Sequence, residues 1–186
     1  MDQAELLRRV VQCLEKLQIP YFVTGAMASI IYGEPRLTND IDIVAEIQDI
    51  HINGLKNCFP ENDFHLDTDS VREAICHKFQ FNIIHPQAGL KVDVMISRND
   101  AYDRNRFSRK KRLRSLPDLE VNFASPEDVI IKKMQYYQEG RSEKHIRDIQ
   151  GILKISFDMI DMDYISKWAA QLDLVAVWSD IQTKRG

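Results

Sequence analysis

The chain has 186 residues, enough for one compact domain with a small helical lobe. Its apolar fraction of 44% and charged fraction of 28% are ordinary for a soluble globular protein. The net charge of -3 excludes an overall field that would attract nucleic acid, so any such contact would need a local basic patch.

The cysteines and the N-terminus suggest a cellular setting. Cys13, Cys58 and Cys76 are far apart in the sequence and form neither a CxxC pair nor a zinc set with the five histidines. We therefore expect reduced thiols and a cytoplasmic protein. The first residues are charged and periodic, which is not typical of a signal peptide, and no run is long enough to span a bilayer.

Apolar spacing predicts helices and strands along the first hundred residues. A helix over 4–18 ends at Ile19-Pro20, because proline restricts the residue before it. The elements predicted after it are a strand at 21–23, a helix at 26–32, a strand at 38–45, helices at 47–59 and 70–77, and strands at 79–84 and 91–96.

The rest of the chain is predicted to be mainly helical. Residues 101–109 read as helical or irregular and 113–123 as short extended stretches. Ser125 as cap and Pro126 in the first turn then predict a helix to Glu139. A further helix begins at Ser142, and 161–181 holds two more, with Trp168 and Trp178 as core anchors. The order predicts an α/β (α+β) fold, divided into a core over 1–124 and a helical region over 125–186, or packed as a single domain.

Gly25 and Ala26 join a predicted strand to a predicted helix. A helix N-terminus presents free backbone N–H groups, and glycine lets a phosphate approach the backbone, so the junction suits phosphate binding. A tight turn without a ligand is the alternative.

Three aspartates occupy matching positions in two predicted strands. Asp40 and Asp42 lie on one face, with Ile41 and Ile43 on the other, and Asp93 alternates with valines in the same way. If the strands are neighbours, three carboxylates converge on a site suited to Mg²⁺. Two metal ions there would support transfer of a nucleotide from a nucleoside triphosphate, with one carboxylate accepting a proton. The alternative is a solvated strand face.

The motifs around these residues resemble a known family. Gly25-Ala26 and the stretch GEPRLTNDIDI from Gly33 to Ile43 are similar to the Gly-(Gly/Ser)…Asp-x-Asp signature of the nucleotidyltransferase superfamily, which includes DNA polymerase beta. The closest resemblance is to the nucleotidyltransferase proteins related to abortive-infection toxins of bacterial toxin–antitoxin systems. It extends over nearly the whole chain, through Phe81-Asn82, Lys91–Asp93, Ser125–Ile130, Lys132-Lys133 and Arg147–Ile149.

The resemblance implies a nucleotidyltransferase fold with a mixed β-sheet and flanking helices, use of a nucleoside triphosphate such as ATP with Mg²⁺ or Mn²⁺, and a partner antitoxin. It implies Asp40, Asp42 and Asp93 as catalytic metal ligands, and Gly25 and Ala26 as the phosphate loop. Ala26 departs from the pattern, because it offers a backbone N–H but no hydroxyl; Thr24 could supply one.

The resemblance also implies a lysine and an aspartate from the helical region. Lys132 or Lys133, and Asp148, are the matching positions, and Lys133 is predicted to bind nucleotide; a solvated helix face is the alternative. Arg36 either contacts phosphate or fixes the turn before the strand.

The segment Arg104–Arg114 carries seven basic residues in eleven. It is predicted either to hold the phosphates of an RNA acceptor or to be a solvated segment. The leading hypothesis is an enzyme that transfers a nucleotide to a hydroxyl on RNA, protein or a small molecule. The alternatives are a non-catalytic nucleotide- or RNA-binding module that retains the fold, and a purely structural protein whose aspartates do not converge.

Overall fold

The computed structural model describes residues 1–183, so the last three residues of the predicted helical region lie outside it. The fold consists of two compact units. The first comprises Met1–Ala26 and Thr38–Phe123, and the second comprises Met27–Leu37 and the chain from Ala124 onward. The segment Met27–Leu37 therefore groups with the C-terminal helices, whereas the sequence division at residue 124 assigns it to the core.

The first unit is built on a six-stranded mixed sheet. Its strands are β1 (Tyr21–Thr24), β2 (Asp40–Ala45), β3 (Gln80–His85), β4 (Leu90–Ile96), β5 (Lys111–Leu116) and β6 (Leu119–Phe123). They are ordered β3-β4-β2-β1-β6-β5 across the sheet. The pairs β2–β4 and β1–β6 are parallel and the other three pairs are antiparallel, which confirms the predicted mixed sheet.

Four helices lie within the first unit, and a fifth begins in this unit. They are α1 (Gln3–Lys16), α2 (Gly25–Tyr32), which continues into the second unit, α3 (Ile52–Cys58), α4 (Thr68–His77) and α5 (Ala101–Arg109). The helix predicted over 47–59 is shorter, because a 3-10 turn at Asp49–His51 precedes α3. Helix α4 begins two residues before the predicted Ser70, since the Asp67 side chain accepts hydrogen bonds from the Asp69 and Ser70 amides.

Period-two alternation in β2 and β4 determines which side chains face the core. Ile41, Ile43, Val92 and Val94 are at most 1% exposed, while the aspartates between them are not buried. The strands therefore have one apolar face and one acidic face.

The described part of the second unit is helical. Its helices, besides α2, are α6 (Pro126–Gly140), α7 (Glu143–Ile155), α8 (Met162–Gln171) and α9 (Val175–Thr183). The Ser125 side chain accepts a hydrogen bond from the Asp128 backbone amide, which confirms the predicted cap of α6. Trp168 and Trp178 are buried, as predicted for core anchors.

Two of the three cysteines form a disulfide. Cys13 on α1 and Cys58 at the end of α3 are bonded, with their Cα atoms 6.0 Å apart, and Cys76 is free and exposed. The prediction of three reduced thiols is therefore wrong for this pair. Nothing in the sequence indicates the bond, because 45 residues separate the partners and only the packing of the two helices brings them together.

Within residues 1–183, no helix has the length and apolar character needed to span a membrane.

Candidate active site

The junction of β1 and α2 brings the chain backbone against an acidic side chain. Gly25 has φ of +62°, a left-handed conformation that glycine adopts without strain. A Cβ at this position would lie 2.6 Å from Cγ of Asp42 and overlap its carboxylate oxygen. Glycine is therefore required here for two reasons, the backbone conformation and the close approach of Asp42.

The three predicted aspartates lie on one face of the sheet. The parallel register of β2 and β4 pairs Asp42 with Asp93 and Asp40 with Lys91. On the other side of β2, Asp42 pairs with Thr24 of β1, directly before Gly25. The register thus places Asp42 between Thr24, which precedes the β1–α2 junction, and Asp93.

The Asp93 carboxylate already has two partners. Asn82 on β3 donates to its Oδ1, and the Lys91 ammonium lies 2.9 Å from its Oδ2. The pKa of Lys91 is raised by its hydrogen bond to Asp93 and by the charges of Asp93, Asp40 and Asp42. Lys91 is therefore the counter-cation of Asp93, and the charges of Asp40 and Asp42 also favour its protonated form.

The three aspartates do not form a ready-made metal site in this arrangement. Among residues 1–183, no three His, Cys, Asp or Glu side chains are grouped so that they could hold a metal ion. Three hard oxygen donors on one face have the chemistry that Mg²⁺ prefers, but Asp93 would have to exchange Lys91 for the metal.

A second cluster of charges lies within the second unit. Arg36 donates from Nε and Nη2 to the two oxygens of Asp148, at 2.9 and 3.0 Å, and Lys133 donates to Oδ2 at 2.6 Å. The Lys133 and Asp148 side chains are only 6% and 7% exposed. Lys132, the alternative to Lys133, instead lies over the Tyr136 ring.

Burial and ion pairing shift the pKa values of the charged residues in this cluster in opposite directions. Burial alone would raise the pKa of Asp148, but its hydrogen bonds with Arg36 and Lys133 outweigh this and the pKa is lowered. Burial lowers the pKa of Lys133, and the positive charges of Arg36 and Lys144 lower it further. The carboxylate is therefore held ionised among an excess of cations.

The chain matches one protein family over most of its length. Residues 6–163 match the model described as "Nucleotidyl transferase AbiEii toxin, Type IV TA system". The chain belongs to the AbiEii family. No protein with a curated description matches its sequence.

Solved structures of nucleotidyltransferases share the fold of this AbiEii-family chain. The solution structure of the antibiotic-resistance factor ANT(2'')-Ia matches with a TM-score of 0.58 and 13% identity, over 99% of this chain and 96% of that one. An antigenic nucleotidyltransferase-like protein from Paracoccidioides brasiliensis matches at 0.54 and 21%, over 83% and 75%. The lincosamide antibiotic adenylyltransferase LnuA matches at 0.53 and 12%, over 80% and 95%. These likenesses confirm the nucleotidyltransferase fold.

Sequence reasoning missed Lys91 and Asn82 as neighbours of the acidic face in this AbiEii-family chain. The position of Lys91 could have been predicted from the sequence, because Lys91 precedes Asp93 by two residues and so shares its strand face. Asn82 depended on the β3–β4 register, which the hairpin-length turn indicates only approximately.

The basic segment Arg104–Arg114 is divided between different roles. Arg106 is buried, bonds Asp103 at 3.0 Å and lies over the Phe22 ring. Arg112 pairs with Glu15 at 3.0 Å and with Glu120 at 3.3 Å. These two arginines already have partners, which weakens the interpretation of the whole segment as an RNA-binding surface.

Proposed function

We propose that this AbiEii-family protein transfers a nucleoside monophosphate from a nucleoside triphosphate to an acceptor hydroxyl, using a divalent metal ion. The observation that carries the proposal is the packing of Gly25 against Asp42, with Asp42 paired to Asp93 and Asp40 on the same sheet face. The family supports nucleotidyl transfer in general. RNA, protein and small molecules are all candidate acceptors, and the type IV toxin–antitoxin family supports an antitoxin partner.

Asp40, Asp42 and Asp93 are the residues that would hold Mg²⁺ or Mn²⁺. A bound metal ion would neutralise charge on the triphosphate and activate the attacking hydroxyl. In the reaction, the acceptor oxygen bonds to the α-phosphorus, the bond to the β-phosphate oxygen breaks, and pyrophosphate leaves. Asp93 is proposed to accept the hydroxyl proton.

The backbone at Gly25 and Ala26 is proposed to hold the outer phosphates. The first N–H groups of a helix are not used by its own hydrogen-bond ladder, so the start of α2 suits an anion. Arg36 and Lys133 are proposed as further nucleotide contacts, although both are bonded to Asp148.

Asp42→Ala is expected to reduce transfer by several orders of magnitude, because it removes the carboxylate between the phosphate junction and Asp93. The measurement is label transfer from each of four α-labelled triphosphates, with Mg²⁺ or Mn²⁺, to total RNA and protein extract. Asp63→Ala, at an exposed position, is the matched control and should leave transfer unchanged. Full transfer by Asp42→Ala would refute the proposal.

A non-catalytic nucleotide-binding module is the second candidate. Two observations favour it: Ala26 replaces the usual glycine or serine, and both oxygens of Asp93 are already engaged. Stabilisation of the protein by a triphosphate with Mg²⁺, without any labelled product, would support this alternative.

Lys91→Met is expected to increase Mn²⁺ affinity several-fold, because the ammonium competes with the metal for Asp93 and repels it from the other two carboxylates. Free Mn²⁺ can be measured by electron paramagnetic resonance during titration, independently of any activity. Lys16→Met makes the same charge change at an exposed position on α1 and serves as control. Equal Mn²⁺ affinity in wild type and Lys91→Met would rule out this competition.

A further inference from the structure

A pocket of about 290 Å³ lies within the second unit. Its walls come from α2, the segment after it and α7. They include Ser29, Glu34, Arg36, Lys144, Arg147 and Asp148. Of these, only Arg36 and Asp148 belong to the buried charge cluster with Lys133, and neither Lys144 nor Arg147 has a role in the proposed transfer.

Positive charge exceeds negative charge around this pocket. Asp148 is shared by two cations, Arg36 and Lys133. Glu34, the other acid in the wall, is bonded to Lys154 at 2.7 Å, so its charge is already balanced.

Lys144 and Arg147 add two more charges at the exposed rim. Neither has an ion-pair partner within residues 1–183. The excess of positive charge also affects His145, whose pKa is lowered by burial and then by the charges of Lys133, Lys144 and Arg36. A local cationic pocket in a molecule of net charge -3 would attract an anionic ligand.

We propose that this pocket binds a phosphate group, with Lys144 and Arg147 as its principal contacts. The planar guanidinium of Arg147 can pair with two phosphate oxygens, and the Lys144 ammonium adds a second point charge. Because both side chains are exposed, they can turn toward a ligand without disturbing the core. The phosphate comes either from the nucleoside triphosphate or from an RNA backbone, and only this choice of source rests on the proposed function.

The test measures binding of three probes in EDTA at low ionic strength: inorganic tripolyphosphate, ATP and a short single-stranded RNA. The variants are Lys144→Gln, Arg147→Gln and the double variant. We expect the double variant to bind tripolyphosphate roughly tenfold more weakly, about threefold for each cationic side chain that is neutralised. Lys167→Gln, an exposed lysine of α8 outside the pocket, is the matched control and should bind as the wild type does.

The probes distinguish the two sources. Weaker binding of ATP with RNA unaffected assigns the pocket to the nucleotide, and the reverse assigns it to an RNA acceptor. The proposal is overturned if the double variant binds every probe as tightly as the wild type, or if the wild type binds none. Because no metal is present, a protein that lacks transfer but keeps charge-dependent binding would contradict the proposed function and leave the pocket assignment standing.

Discussion

Gly25→Ala is expected to reduce nucleotide transfer by at least about 100-fold, as a small displacement of a reacting group can do. The new methyl group would occupy the position of the Asp42 carboxylate, so this carboxylate must leave its present position. The substitution also places a side chain at φ of +62°, which costs about 1–2 kcal/mol of folding free energy. Transfer and thermal unfolding should be measured on the same preparation.

Gly89→Ala is the matched control for this prediction. Gly89 has the same φ of +62°, but a Cβ there would meet nothing within 4 Å. It should show the conformational cost without the effect on Asp42, so its transfer should equal that of the wild type. If Gly25→Ala retained wild-type transfer, or if both variants reduced it equally, the approach of Asp42 to the backbone would not be the cause.

The acidic face could be predicted because it depends on local periodicity. Asp40 and Asp42 alternate with isoleucines, and Asp93 alternates with valines, so each strand identifies its own buried side. The cap at Ser125 is equally local, since a side-chain oxygen bonds an amide three residues later. Features of this kind need no knowledge of the rest of the fold.

Contacts between distant residues could not be predicted in the same way. Arg36 and Asp148 are 112 residues apart, and no periodicity links them. Spacing also could not decide between Lys133 and Lys132. Each lysine lies three residues after a buried residue, Ile130 and Val129 respectively, so only the folded structure shows which one meets Asp148.

The role of each arginine in the basic segment could not be predicted either. The sequence gives the number of charges but not the residues around them. Arg106 lies in the core because Asp103 and the Phe22 ring contact its guanidinium. At the pocket, Lys144 and Arg147 have no ion-pair partner in the described part of the chain. Lys144 had no role in the sequence-based prediction, and Arg147 entered it only within the Arg147–Ile149 motif, because the sequence does not show that both residues line one pocket.

Asp148→Asn is expected to lower the unfolding free energy of the second unit by about 3–5 kcal/mol, because it leaves the buried Lys133 ammonium without its anion. Both tryptophans lie in this unit, so their fluorescence during urea unfolding reports on it directly. Asp69→Asn breaks an exposed pair with Arg72 and should cost at most about 1 kcal/mol. The double variant Lys133→Met/Asp148→Asn should recover part of the stability, because it removes the buried ammonium and leaves only the more exposed Arg36 without its carboxylate.

The pairing of Asp148 with Lys133 also predicts how the stability difference between wild type and Asp148→Asn depends on pH. The folded pKa of Asp148 lies below its ordinary 3.8, so its ionised form stabilises the folded state at every pH above that value. The contribution declines as the pH falls below 3.8 and disappears below the lowered pKa, where Asp148 is protonated in both states. The gap between wild type and Asp148→Asn should therefore be widest near neutral pH and should narrow in acid. A gap that stayed constant from neutral pH to pH values below 3.8 would mean that the Asp148 charge contributes nothing and that the asparagine acts through packing alone.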